Sequence, residues 1–187
     1  MCEFMIILAS GSPRRAKLLQ DAGLQFKIVS SDVEETFDES MDPSDIVMYL
    51  AKLKASHIAT DYQDDVVIGA DTIVVYDNNI LGKPVDENDA FNMLSTLSNQ
   101  CHMVYTGVSI ISKEKEETFY SQTKVCMKSL SELEIRAYIN TKEPMDKAGA
   151  YGIQGEGGML VDHYEGDFFT IMGLPLKELL TRLKAYN

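Results

Sequence analysis

The chain has 187 residues, of which 45% are hydrophobic and 25% charged, an ordinary composition for a globular protein that buries a core without staples. A formal net charge of −12 argues against broad binding to nucleic acids or membrane surfaces, since such proteins normally present a basic face. A small polyphosphate ligand stays compatible with this charge, because a few fixed cations in a cleft are enough to bind it.

The start of the chain and its cysteines bear on location. The apolar run from Phe4 to Ala9 is too short for a signal peptide or a membrane span and predicts a buried strand. Cys2, Cys101 and Cys126 are far apart, odd in number and without metal-ligand spacing, which predicts three reduced thiols. These features indicate a cytoplasmic protein with neither a membrane nor a nucleic acid as its partner.

Apolar periodicity divides the first half of the chain into alternating strands and helices. Ser12 and Pro13 are typical of an N-cap and a first helical position, and Gly23 is typical of a helix end. The predicted elements are, in chain order, a strand over residues 4–8, a helix from 13 to 22, a strand over 26–30, a longer helix beginning at 42–43, and a strand over 66–70 that breaks at 71–72, continues over 73–76 and ends in a turn at 77–79.

The second half is richer in strands joined by turns. Its predicted elements are a helix capped by Asp86, two long strands near 103–112 and 118–128 with a hairpin connection at 113–117, a helix capped by Ser131, a glycine-rich stretch over 149–158, two short apolar runs on either side of a turn at 165–167, and a final helix opened by Pro175. Alternating strands and helices followed by hairpins predict an α/β protein with a mixed sheet and helices on its faces.

A candidate phosphate site follows the first strand. A helix that begins after Ser10 and Gly11 offers unpaired N–H groups and a partial positive charge, and Gly11 lets a phosphate approach the backbone. Arg14 and Arg15 add forked donors that suit phosphate oxygens. The segment lacks the spacing of a Walker loop or a dinucleotide fingerprint, so an ordinary capped helix with solvated arginines is the alternative.

Carboxylates form the second candidate group. Asp71 interrupts an apolar strand, where an unpaired charge is costly, so it is either a structural hydrogen-bond acceptor or a metal ligand or general base. Residues 32–45 contain seven carboxylates and no Lys or Arg, which indicates either a solvated acidic loop or a loop that helps to hold a divalent metal.

Two lysines and a glycine-rich segment complete the candidates. Lys54 lies on the long helix, and Lys83 stands between Gly82 and Pro84, which restrict where its side chain starts. Gln154 lies among glycines and has an amide that donates and accepts at once, as reading a base edge requires. A solvated lysine and a plain glycine turn are the alternatives.

Together these segments resemble the Maf family of nucleoside triphosphate pyrophosphatases. The matching segments are residues 8–15, 33–35, 50–55, 68–72, 82–84, 146–155 and 173–175, in the family's order and nearly from end to end. Thr72 and residues 147–155 look like the branch that acts on dTTP and UTP, since the branch that acts on 7-methyl-GTP differs at both places.

The resemblance implies one Maf-type domain over residues 1–187, with a long twisted mixed sheet, flanking helices, and two lobes around a central cleft. It implies a homodimer and hydrolysis between the α and β phosphates with a divalent metal, Mg²⁺ or Mn²⁺. Asp71 matches the proton acceptor, and other positions match the base-preference residues Arg14, Thr72 and Gln154 and the further active-site residues Ser10, Arg15, Glu35, Lys54 and Lys83. Our hypothesis is that Glu35 and Asp71 hold the metal and that Glu34 shares this task.

Three alternatives to this function remain open. A pyrophosphatase for 7-methyl-GTP or for ITP-type nucleotides needs a larger base pocket. A nucleotide-sensing regulator of cell division has no need of a catalytic base, so the presence of Asp71 with Lys54 and Lys83 favours an enzyme. Nucleic-acid binding is disfavoured by the net charge of −12.

Overall fold

The computed structural model describes residues 4–38 and 40–186. Its strands are β1 (Ile6–Ala9), β2 (Phe26–Ile28), β3 (Val66–Tyr76), β4 (Asn79–Leu81), β5 (Cys101–Ile111), β6 (Glu116–Met127) and β7 (Val161–Glu165). Its α-helices are α1 (Pro13–Asp21), α2 (Pro43–Ala59), α3 (Glu87–Leu97), α4 (Glu132–Asn140), α5 (Phe168–Met172) and α6 (Leu176–Leu183). Short 3-10 helices occur at Glu143–Asp146, Ala148–Ala150, Gly155–Leu160 and Lys184–Tyr186.

The strands form one seven-stranded mixed sheet in the order β2-β1-β3-β5-β6-β7, with β4 paired to β3. β1 is parallel to both β2 and β3, whereas β4 and β7 are antiparallel to their partners. The predicted α/β class with a mixed sheet and flanking helices is therefore confirmed. The parallel part comes from the alternating first half of the sequence, as expected when helices connect parallel strands.

The contacts divide the chain into two compact units. The first comprises the residues up to Asp71, Thr106–Ser121 and the residues from Gly173 onward. The second comprises Thr72–Tyr105 and Gln122–Met172. The long strands β3, β5 and β6 each contribute residues to both units.

In the first unit, α2 packs against the sheet at very short range. A Cβ atom built on Gly69 of β3 would lie 2.3 Å from the carbonyl oxygen of Ala51, and one on Gly107 of β5 would lie 2.2 Å from that of Val47. Both glycines are thus required by close approach of backbone to backbone. Ala55 lies in the buried cluster at this contact.

The core of the second unit is formed by α3, α4 and the inner side of the sheet. Leu94, Leu97, Ile135 and Ile139 are buried there together with Tyr138 of α4 and Tyr151 of the glycine-rich region. Ser131 and Glu134 form a reciprocal capping box at the start of α4, as the sequence predicts for Ser131.

Several predictions about local structure are corrected by the fold. β3 runs through Asp71 without a break, because the carboxylate is paired with a lysine and the strand can therefore retain it. The apolar run that follows the turn at 165–167 is the helix α5, whose first turn is tied by Asp167 accepting from the backbone N–H of Thr170 at 2.8 Å. β4, which the sequence reading lacks, returns from a turn in which Asp77 and Asn78 both have positive φ.

The prediction of three reduced thiols is wrong for two of them. Cys101 and Cys126 form a disulfide between the neighbouring strands β5 and β6. Cys2 lies outside the described residues. Within the described part of the chain, no helix is long and apolar enough to cross a membrane.

Candidate active site

The corner between β1 and α1 carries the predicted phosphate-binding segment. Ser10 is buried, and its hydroxyl oxygen accepts hydrogen bonds from the Ser12 backbone N–H at 3.3 Å and from Nη1 of Arg15 at 3.1 Å. Nε of Arg15 donates to the carbonyl oxygen of Gly173 at 2.7 Å. Pro13 occupies the first turn of α1, and Ser12 is its N-cap residue. These bonds fix the guanidinium of Arg15 beside the helix N-terminus.

Burial lowers the pKa of Arg15 from its ordinary value, and the negative charge of Asp71 partly offsets this effect. A guanidinium remains charged at neutral pH in any protein. Arg14 is half-buried one position before Arg15 in the same helical turn. The corner therefore combines at least one fixed positive charge with helix N–H groups, which is the chemistry an anionic phosphate requires.

Lys54 joins the two carboxylates that the sequence analysis assigns to the metal. Its Nζ atom lies 2.6 Å from Oδ1 of Asp71 and 2.9 Å from Oε1 of Glu35. The side chains of Lys54 and Asp71 are only 11% and 10% exposed, whereas that of Glu35 is 51% exposed. The predicted catalytic residues Lys54 and Asp71 are thus in direct contact, inside the first unit.

The position of Lys54 follows from the glycine contact described above. Ala51 and Ala55 bracket Lys54 on α2, and both lie against Gly69, two residues before Asp71 on β3. A larger residue at 69 would hold the helix away from the strand. The close approach of α2 to β3 therefore brings Lys54 to Asp71.

The pKa of Asp71 is raised from its ordinary value, because burial disfavours the charged carboxylate more than Lys54 and Arg15 favour it. Such a group holds a proton more strongly than an exposed aspartate does. This property suits a carboxylate that takes a proton from a water molecule.

The two carboxylates also fit a divalent cation. Both contact the same ammonium nitrogen within 3 Å, so two carboxylates face one position, and carboxylate oxygens are the kind of ligand that hard divalent cations prefer. Glu34 is exposed in the same loop, next to Glu35. No group of three or more His, Cys, Asp or Glu side chains that could hold a metal is found among the described residues. Two carboxylates suffice for Mg²⁺, which commonly takes its remaining ligands from water and substrate phosphates.

The remaining predicted site residues belong to the second unit. Thr72 is half-buried on β3, directly after Asp71 in the chain. Lys83 is exposed after β4, between Gly82 and the buried Pro84. The carbonyl oxygen of Gly82 accepts a hydrogen bond from the backbone N–H of Gly149 at 3.1 Å, which ties the Lys83 turn to the glycine-rich region.

Gln154 is exposed in that glycine-rich region. The backbone around it is held by Tyr138 and Glu143, two residues outside the predicted site whose side chains accept hydrogen bonds from backbone N–H groups of this region. Tyr151, which also lies outside the predicted site, forms a buried hydrogen bond with Nε2 of His102 at 2.7 Å. Sequence patterns contain no signal for these partners, since they meet only through the tertiary fold.

Comparison with known proteins gives matches over nearly the whole chain. The family model described as Maf-like protein matches residues 5–186. Curated relatives from Bacillus cereus, Bacillus anthracis and Bacillus mycoides, each named dTTP/UTP pyrophosphatase, are 55%, 53% and 54% identical over 182 residues. The alignments cover 97% of this chain, 90% of the first relative and 95% of the other two.

Proposed function

The chain belongs to the Maf family, and from this premise we propose that it hydrolyses dTTP and UTP to the nucleoside monophosphate and pyrophosphate. The observation that carries the proposal is the cluster of Lys54, Asp71 and Glu35, in which a buried carboxylate of raised pKa lies 2.6 Å from a lysine. A nucleotide sensor gains nothing from a poised proton acceptor, whereas a hydrolase needs one.

The reaction forms a bond between a water oxygen and the α-phosphorus and breaks the bond from that phosphorus to the bridging oxygen of the β-phosphate. Asp71 takes the proton that the water loses, and pyrophosphate leaves with its negative charge. The positive charges of Arg14, Arg15, Lys54 and Lys83 counter the charge that develops on the phosphate oxygens.

The residues Glu35 and Asp71, with Glu34 beside them, are the proposed ligands of a divalent cation, Mg²⁺ or Mn²⁺. Such an ion polarises phosphate oxygens and orients the triphosphate. Support comes from the two carboxylates that contact one ammonium group, since carboxylate oxygens are the ligand type that these hard cations prefer.

Base preference is the proposed task of Arg14, Thr72 and Gln154, while Ser10 and Arg15 belong to the phosphate side. The bonds of Arg15 to Ser10 and to the Gly173 backbone support the second assignment, because they hold its guanidinium at the N-terminus of α1. The exposed amide of Gln154 supports the first.

Release of pyrophosphate from a panel of nucleotides, measured with and without Mg²⁺ or Mn²⁺, tests the proposal. We expect dTTP and UTP to be the preferred substrates and a chelator to abolish their hydrolysis. Preference for 7-methyl-GTP or ITP would contradict the pyrimidine assignment. Tight binding of nucleotides with no hydrolysis of any would instead favour the nucleotide-sensing regulator of cell division.

We further propose one Maf-type domain over residues 1–187, a homodimer, and the cytoplasm as compartment. The family match over residues 5–186 supports the first, and the cytoplasmic pool of nucleoside triphosphates supports the last. Light scattering on the purified protein tests the dimer, and a mass equal to one chain would contradict it.

A further inference from the structure

One carboxylate lies at the centre of the glycine-rich region. Oε1 of Glu143 accepts hydrogen bonds from the Tyr138 hydroxyl at 3.0 Å and from the backbone N–H of Gly157 at 3.1 Å. Its other oxygen, Oε2, accepts from the backbone N–H of Glu156 at 3.2 Å. Bonds from N–H groups to an ionised carboxylate are stronger than those to a neutral acceptor. Glu143 thus holds two consecutive amides of the region.

The other side of the region is held through the same pair of side chains. The hydroxyl oxygen of Tyr138 accepts from the backbone N–H of Gly152 at 3.1 Å while its proton is donated to Glu143. A Cβ atom built on Gly157 would lie 2.2 Å from the carbonyl oxygen of Gly152, so the two ends of this segment touch. Residues 152–157 therefore form a closed loop, which we call the Gln154 loop.

Gln154 lies between the two anchored ends of this loop. Gly155, the next residue, has a φ of +75°, and a Cβ atom there would lie 2.8 Å from Oε2 of Glu143. The loop is thus folded around the Glu143 carboxylate with no room for a side chain between them. The direction in which the Gln154 amide leaves the loop depends on where that carboxylate lies.

Glu143 is itself fixed by its local backbone. Its N–H donates to Oγ1 of Thr141 at 3.1 Å, after Lys142 turns the chain with a φ of +64°. Nζ of Lys147 donates to the Glu143 carbonyl oxygen at 2.7 Å and, with Asp146, closes this short helical turn. The backbone from which the Glu143 carboxylate extends is therefore held in place by hydrogen bonds on both of its sides.

We propose that Glu143 is a positioning residue for the nucleotide base, because its carboxylate, with the Tyr138 hydroxyl, sets the shape of the loop that presents Gln154. This inference rests on the proposed function, in which Gln154 contacts the base. Glu143 acts through the loop backbone and touches neither the phosphates nor the reacting water.

The variant Glu143→Gln tests the proposal, because it keeps the side-chain length and places an amide nitrogen against one of the three donors. We expect faster hydrogen exchange at the amides of Gly152, Glu156 and Gly157. We also expect the ratio of kcat/KM for UTP to that for GTP to fall by about tenfold or more, since small displacements of a positioning group are costly. The change should lie mainly in the KM for UTP.

Glu156→Gln is the matched control, since it removes an exposed carboxylate from the same loop. Its exchange rates and nucleotide ratio should equal those of the unaltered chain. Tyr138→Phe is a second, independent variant that removes one hydroxyl from the buried ring, and it should change both quantities in the same direction. This second variant tests the proposal even if Glu143→Gln does not fold.

An unchanged nucleotide ratio in Glu143→Gln and Tyr138→Phe, with faster exchange in the loop, would overturn the positioning role and leave only a structural one. Unchanged exchange would overturn the anchoring itself. Hydrolysis of UTP by the unaltered chain tests the proposed function separately, and its absence would overturn both.

Discussion

Lys54 meets Asp71 and Glu35 at once, so a single ammonium group stands against two carboxylates. All three residues can be recognised from the sequence, because each lies in one of the segments that match the Maf family in order. Their contact cannot be predicted from the sequence, since a separation of 17 positions along the chain carries no distance information. Only the close approach of α2 to β3 brings the lysine to the aspartate.

The variant Asp71→Asn tests the role of Asp71 in catalysis separately from its role in folding. The amide keeps an acceptor for Lys54 but cannot take a proton, so kcat/KM for UTP should fall by about a thousandfold while the fold persists. Pyrophosphate release measures the first effect and thermal unfolding the second. Asp64→Asn, which alters an exposed aspartate of the first unit, should leave turnover unchanged. Near-normal turnover of Asp71→Asn would contradict the assignment.

His102 makes stability depend on pH. It is 2% exposed, and burial lowers its pKa from 6.5 to about 4. In the unfolded chain this histidine is protonated below about pH 6.5, whereas in the folded chain it is protonated only below about pH 4. The folded state therefore loses stability relative to the unfolded state as the pH falls from 6.5 to 4. The His102 contribution between pH 7 and pH 5 should lower the free energy of unfolding by about 2 kcal/mol.

Urea unfolding of the unaltered chain and of His102→Gln at both pH values measures this difference. The glutamine variant lacks a titrating ring, so its stability should fall less over the same pH range. Parallel curves for the two proteins would show that His102 takes up its proton equally well in the folded and unfolded chain. In the structure His102 forms a buried hydrogen bond with Tyr151.

Among the elements, those with local signals are predicted well. α1 begins at Pro13 after Ser12, α3 follows Asp86, and α4 follows Ser131, each as its capping residue indicates. The helix α5 is missed, because the five residues of its apolar run are too few for a helical period to appear. Its start depends on Asp167, a capping signal hidden within a predicted turn.

Gly69→Ala tests the contact between α2 and β3. The new methyl group would lie 2.3 Å from the Ala51 carbonyl oxygen, so the helix must shift, at a cost of about 3 kcal/mol. Urea unfolding measures this loss, and hydrolysis should fall as well because Lys54 moves with the helix. Gly82→Ala, where a Cβ atom meets nothing within 4 Å, is the control for stability. Equal stability of the two variants would contradict the close packing.

For the whole molecule, the sequence predicts the class of the fold but not the order of its strands. β1 lies between β2 and β3, an arrangement that depends on pairing between segments far apart in the chain. The cysteine prediction fails for a different reason. Ser112 bonds to Lys115 at the turn, Ser109 meets Thr118, and Cys101 meets Cys126. All three pairs are equally distant from the centre of the turn at residues 112–115, whereas the predicted connection over 113–117 is centred further along the chain and does not place Cys101 opposite Cys126.

Reduction of this disulfide should destabilise the chain. A bridge between residues separated by 25 positions restricts the unfolded state by about 3 kcal/mol. Urea unfolding with and without a reductant, and of Cys101→Ser, measures the difference. Disulfides are rare in the cytoplasm, so the presence of the bridge should also be measured directly, by titration of the free thiols of the denatured protein. It should yield one thiol before reduction and three after it. Three thiols before reduction would contradict the bridge.

Gly69 and Gly107 also restrict which amino-acid substitutions the protein can accept during evolution. Every side chain other than hydrogen would strike the backbone of α2 at these two places. A scan of all single substitutions, scored by activity alone, would therefore find both glycines as intolerant as Asp71. Scoring protein abundance as well would distinguish them, because substitutions at the glycines disrupt packing and lower the amount of folded protein, whereas substitutions of Asp71 remove the chemistry and leave the amount of protein unchanged.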